Sequence, residues 1–116
     1  MSNVSEVRGL WTGSYRYSAS DDIGASPFKA KLVCTDGQLT GMVLEPHLNG
    51  NGEVKAEIKG TQDGATIRFV KRYLHDHEDY RREIDYEGLI GPNGDTITGT
   101  WQHSAGSGTF EMSQAG

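Results

Sequence analysis

Three dipeptides constrain this chain more than any other feature: Asp36-Gly37, Asp63-Gly64 and Asn93-Gly94. Each stands between two stretches in which apolar and polar residues alternate. Such pairs favour two-residue type I′ turns, whose central residues both take positive φ. A turn of that kind fixes the register of the strands beside it. Through Asp36-Gly37 it predicts Cys34 opposite Leu39, Ala30 opposite Val43 and Phe28 opposite Glu45. Through Asp63-Gly64 it predicts Ile58 opposite Phe69 and Val54 opposite Tyr73. Through Asn93-Gly94 it predicts Ile90 opposite Ile97 and Tyr86 opposite Trp101. In all three hairpins apolar residues meet on one face. A one-residue slip would send them to opposite faces.

No segment shows helical periodicity. Eight strands are predicted, at about 8–18, 27–35, 38–47, 53–61, 65–74, 80–91, 96–103 and 108–114. Their second face is polar, with Lys29 and Lys31, Lys55 and Lys59, and Thr96, Thr98 and Thr100. Strands with one dry face form antiparallel sheets. Eight in succession bury that face by closing into an all-β, eight-stranded antiparallel up-and-down β-barrel, which also removes the sheet edges. A two-sheet sandwich is the alternative for the same pattern. The 116 residues fit a single domain spanning 1–116, with 1–7 and 114–116 as flexible tails. Leu, Ile, Val and Phe number only 22, against 16 glycines. A mild net charge of −5 keeps that composition from signalling disorder, and it points to many tight turns instead.

An acidic balance argues against nucleic acid as a partner, because phosphate-binding surfaces are basic. Lys71-Arg72 and Arg81-Arg82 form the one small basic cluster, and acids interrupt it. No apolar run reaches the roughly 18 residues of a membrane helix, so no membrane partner is expected. Met1 to Gly9 is polar and carries no signal-peptide core. The single cysteine, Cys34, has no internal disulfide partner, so a cytoplasmic setting is the default expectation.

Alternate links of such a barrel lie at opposite ends. The three tight turns share one end. The longer links, 19–26, 48–52, 75–79 and 104–107, share the other. Binding residues favour loops on a rigid scaffold. Inward positions near the tight turns are apolar: Trp11, Leu32, Cys34, Leu39, Ile67, Ile90 and Ile97. At the loop end the same parity gives Tyr17, Glu45, His47, Lys71, Tyr73, Arg82, Tyr86, Trp101 and His103. Apolar and aromatic walls with a few placed polar groups describe a ligand pocket.

Lys71 shares its parity with Ile67, Phe69 and Tyr73. A buried lysine is costly without a partner, and Glu45 lies inward at similar height. Alternatively Lys71 snorkels to the rim. Arg82 carries the same two readings. His47, His75 and His77, with Glu78 and Asp79, have metal-ligand chemistry, but loops attract polar residues anyway, so solvated loop histidines are the favoured reading and no metal is expected. No nucleophile motif is present, and Cys34 falls among apolar neighbours as a packed thiol. No cofactor is implied.

Gly9-Leu10-Trp11 places a G-x-W at the start of the first strand. It resembles the opening of avidin/streptavidin-like and lipocalin-type barrels, whose tryptophan packs across the closed end. The run Tyr86-Glu87-Gly88 through Asn93-Gly94-Asp95, Gly99, Trp101 and Gly108-Thr109-Phe110 is similar to the closing strands of small avidin-like bacterial barrels. That resemblance implies a calycin-type barrel that holds a small molecule. No arginine in Thr109–Gln114 matches the one lipocalins place over the tryptophan.

These readings lead to a barrel that binds a small anionic or aromatic molecule at its loop end, through Tyr17, Glu45, Lys71, Tyr73, Arg82, Tyr86, Trp101 and His103. Two alternatives remain. One is a homodimer or interaction module using Val33, Val70 and Leu89 on the outer face. The other is a barrel enzyme in which Lys71, Glu45 or His103 does acid–base work.

Overall fold

The computed structural model describes residues 6–17, 26–46, 53–74, 83–103 and 106–114. They form eight antiparallel strands: β1 (Arg8–Tyr17), β2 (Ser26–Thr35), β3 (Gln38–Pro46), β4 (Glu53–Asp63), β5 (Thr66–Tyr73), β6 (Glu83–Ile90), β7 (Thr96–His103) and β8 (Gly106–Gln114). Each pairs with its neighbours in sequence, and β8 pairs back onto β1, with Trp11 opposite Gln114 and Tyr17 opposite Gly108. The sheet is therefore a closed up-and-down barrel, and the sandwich is set aside. Among the described residues no helix is long and apolar enough to cross a membrane.

Burial alternates along the strands as the sequence pattern requires; β6 alternates strictly from exposed Glu83 to buried Ile90. Cys34 pairs with Leu39 and Ala30 with Val43, as predicted. Phe28 and Glu45 lie one step past the last recorded pair, Lys29–Leu44. Asp36 and Gly37 both take positive φ, 53° and 79°, so this hairpin has the two-residue turn its sequence predicts. Ile90–Ile97 and Tyr86–Trp101 also pair as predicted. Their turn is longer, however. Gly94 N donates to Gly91 O at 2.9 Å around Pro92 and Asn93, and only Gly94 takes positive φ. Proline at the second turn position favours that arrangement.

The β4–β5 hairpin corrects the sequence reading. Asp63 pairs with Thr66, so the turn residues are Gly64 and Ala65. Ile58 faces Lys71 rather than Phe69, Phe69 faces Gly60, and Tyr73 faces Ala56 rather than reaching Val54. Asp63-Gly64 at the turn would demand positive φ of both residues. In the observed turn only Gly64 carries it, at 62°, the pattern of a Gly-X hairpin. The shift preserves every face, because β5 moves by an even step relative to β4. It also sets Phe69 directly opposite Gly60, where an added Cβ would lie 2.5 Å from the Phe69 Cα.

At the tight-turn end Trp11, Leu32, Leu39, Ile67 and Ile97 are fully buried. The Trp11 indole donates to Arg8 O at 3.2 Å. Residues 6 and 7, expected in a tail, instead cover this end. Val7 is buried and its amide donates to Gln62 Oε1 at 2.9 Å. Glu6 Oε2 accepts from Gly37 N at 2.9 Å and from the Cys34 thiol at 3.5 Å. Gln114, also expected in a tail, ends β8: its amide donates to Asp95 O and its side chain to Arg8 O, both at 2.9 Å.

The outer face is mostly polar. Its ion pairs, such as Arg68–Glu87 at 2.7 Å, are solvent-exposed and contribute little to stability. Of the outward aliphatics, Val33 lies on β2, while Val70 and Leu89 lie on β5 and β6 across the barrel.

Candidate functional site

Inward residues of β1, β3, β5, β6 and β7 converge on a polar cluster near the loop end. The centre is Glu45, from β3, which is 4% exposed. Its Oε2 accepts from Lys71 Nζ at 2.5 Å, and Lys71 is 2% exposed. Its Oε1 accepts from the Tyr73 hydroxyl at 2.7 Å and the Tyr15 hydroxyl at 3.3 Å. Lys71 stands opposite Ile58 on β4, whereas Glu45 stands opposite Val54. Four residues of strand separate those positions, about 13 Å at the usual rise. The lysine stem and the glutamate side chain close that offset through the interior.

Three tyrosine rings enclose the ammonium. Lys71 Nζ lies 4.9 Å from the centre of Tyr73, 5.1 Å from Tyr15 and 5.3 Å from Tyr86. These are cation–π distances. The pair is thus buried, hydrogen-bonded and caged, the conditions under which an interior ion pair is tolerated. The tyrosines register the same environment. Burial and the Glu45 charge push the Tyr15 phenol up to about 12, with Lys71 opposing them less strongly. Tyr73 and Tyr86 are pushed up as well, first by burial and then by Glu45. All three phenols therefore stay protonated at neutral pH.

An aromatic rim surrounds this floor. Tyr17 is 37% exposed and meets Trp101 edge-to-face at 4.9 Å, and Tyr15 meets Trp101 at 6.0 Å. Half-buried His103 lies 5.4 Å from Trp101. Gly108 on β8 makes the Trp101 position available: a Cβ there would lie 2.6 Å from the indole and 1.8 Å from Arg16 O. The indole N–H then donates to Thr109 O at 3.1 Å. Below the floor Phe69 stacks on Tyr86 at 4.8 Å, and Phe110 packs edge-on at 5.1 Å.

The interior is largely filled by these side chains. A cavity of about 20 Å³ remains at the mouth, lined by Tyr15, Tyr17, Lys71, Tyr73, Ile84, Tyr86, Trp101 and His103. A second, also about 20 Å³, lies deeper among Phe28, Phe69, Lys71, Tyr86 and Phe110. Each suits about one water-sized group.

The structure brings together Tyr17, Glu45, Lys71, Tyr73, Tyr86, Trp101 and His103, all singled out from the sequence. Arg82, His47, His75 and His77 lie outside the described residues. Among the described residues no three His, Cys, Asp or Glu side chains gather as metal ligands. Sequence reasoning missed Tyr15 and Ile84. Tyr15 shares the inward parity of Trp11 and Tyr17, and Ile84 that of Tyr86, so their spacing was a sufficient signal.

No protein-family model and no curated protein matches the chain. Solved structures do. One is a redesigned β-barrel, b11L5F_LGL, with a TM-score of 0.73 at 12% identity over 94% of this chain and 90% of that one. Another is the redesigned β-barrel mFAP1 bound to DFHBI, with a TM-score of 0.70 at 14% identity over 93% of this chain and 94% of that one. At such identities the likeness is one of fold. The avidin-like character of Gly9-Leu10-Trp11 stays a resemblance in sequence.

Proposed function

We propose that the chain is a small-molecule-binding barrel whose ligand rests on the floor at the loop end. The observation that carries this reading is the Lys71–Glu45 pair, caged by tyrosines directly beneath an aromatic rim. A buried ion pair is a poor stabiliser, since apolar residues of similar volume do as well or better. Its placement under the mouth supports a role in recognition. The cavities of about 20 Å³ at the mouth and beneath it each take no more than about one water-sized group, so the body of the ligand rests outside them. The ligand lies instead across the rim, against Tyr17, Tyr73 and Trp101, and His103 borders the same surface. Arg82, expected at the same parity, belongs to this proposal as a further contact. That a neighbour of the same fold, mFAP1, is bound to DFHBI supports the capacity of such a barrel to hold a small molecule.

The test is a screen of planar aromatic fragments by ligand-detected NMR, followed by mapping on the protein. Binding that shifts Tyr17, Tyr73 and Trp101, and weakens in Tyr17→Ala, is expected. Fragments that bind only the outer face, or none that bind at all, would overturn the proposal.

A further inference from the structure

Tyr86 stands apart among the phenols of the floor. Tyr15 and Tyr73 spend their hydroxyl protons on Glu45. Tyr86 is 6% exposed, yet its hydroxyl makes no hydrogen bond among the described residues. Every fully buried side-chain oxygen and nitrogen among them has a partner, so this hydroxyl must open onto free space. Tyr86 lines the gap at the mouth, which fits one oxygen-sized group. A buried hydroxyl without a partner is costly, and a ligand atom or a water there offsets the cost.

The charges decide what kind of atom it is. Lys71, the cation of this gap, is committed to Glu45 at 2.5 Å and enclosed by rings. Glu45 raises all three phenols, and at Tyr15 its push exceeds the opposing one from Lys71. Burial, and after it Glu45, pushes the Tyr86 phenol up, so its hydroxyl stays a protonated donor. An anionic oxygen entering the gap lies beside phenols that already donate to Glu45, and among the described residues lining the gap the single lysine, Lys71, is paired with that carboxylate.

Resting on the ligand-binding reading above, we infer that the floor selects an uncharged planar ligand, which places a single hydrogen-bond-accepting oxygen in the gap beside the Tyr86 hydroxyl and keeps its ring on the rim. The matching carboxylate is disfavoured. This narrows the anionic or aromatic ligand expected from the sequence to a neutral aromatic carbonyl or amide.

The experiment compares 1-naphthamide with 1-naphthoate by NMR titration to about 10 mM, on the full chain and on Tyr86→Phe and Tyr17→Ala. The amide should bind about tenfold tighter than the carboxylate, and Tyr86→Phe should erase about tenfold of its affinity, the worth of one hydrogen bond. Thermal melting of Tyr86→Phe should match the parent, because the lost hydroxyl has no protein partner among the described residues. Equal or tighter binding of the carboxylate overturns the inference, as does unchanged amide affinity in Tyr86→Phe; the site itself then stands, provided Tyr17→Ala weakens both probes. If neither probe binds, the inference falls, and the fragment screen decides the wider reading separately.

Discussion

Lys71→Met is the most informative single perturbation of this protein. It keeps most of the apolar stem and deletes the ammonium. Glu45, 4% exposed, then keeps two phenol donors but loses its counter-charge. At 2.5 Å and an effective dielectric of about 20 the gross attraction is roughly 7 kcal/mol. Desolvation of the two ions offsets much of it, several kcal/mol each. The net worth of the pair is therefore small, but breaking it from one side strands a buried charge at a cost of about 3–5 kcal/mol. Glu45→Gln strands Lys71 at a similar cost. The double variant strands no charge, and the glutamine oxygen still accepts from Tyr73 and Tyr15. It should lie within about 2 kcal/mol of the parent, giving a coupling of at least about 4 kcal/mol.

Urea unfolding followed by the fluorescence of Trp11 and Trp101 reads all four corners of the cycle. A loss of 3–5 kcal/mol is a large share of the stability of a small domain, so the single variants should show lowered midpoints with the slope unchanged. If Lys71→Met costs less than about 1 kcal/mol and the two single effects add, the pair is solvated. The caged geometry would then be wrong, and the recognition role built on it would lose its ground.

Alkaline titration should separate the five tyrosines. Tyr15, raised to about 12, and the still higher Tyr73 and Tyr86 keep their protons when an ordinary phenol ionises near 10. The folded state then binds more protons than the unfolded one, so stability is intact below about pH 10 and falls as pH rises toward 12 and beyond. Absorbance at the phenolate band should show at least three tyrosines ionising only with unfolding; early ionisation of all five would contradict their burial. Gly64→Ala should cost about 1 kcal/mol in urea unfolding, from backbone alone, since nothing lies within 4 Å of the added methyl. A neutral effect would contradict the positive φ of Gly64. Gly108→Ala should cost more, because its methyl meets Arg16 O and the Trp101 indole, and it should shift Trp101 fluorescence as well.

Much of this was legible in the chain because a closed antiparallel barrel repeats one simple rule. Face alternation along each strand and the spacing of turn residues give the strand order. They also give inward parity, and parity alone brings Glu45, Lys71, Tyr73, Tyr86 and Trp101 to one interior. Parity is insensitive to an even register shift, which explains what was missed. Placing Gly64-Ala65 rather than Asp63-Gly64 at the turn changes no face, so the pattern that validated the register could not detect the error. The shift does change height. It puts Lys71 opposite Ile58, where its whole stem is needed to reach Glu45 and its ammonium ends among Tyr15, Tyr73 and Tyr86. A lysine two residues higher would have reached the rim and water. The distinction between a snorkelling cation and a caged one therefore rests on which two residues form a hairpin turn.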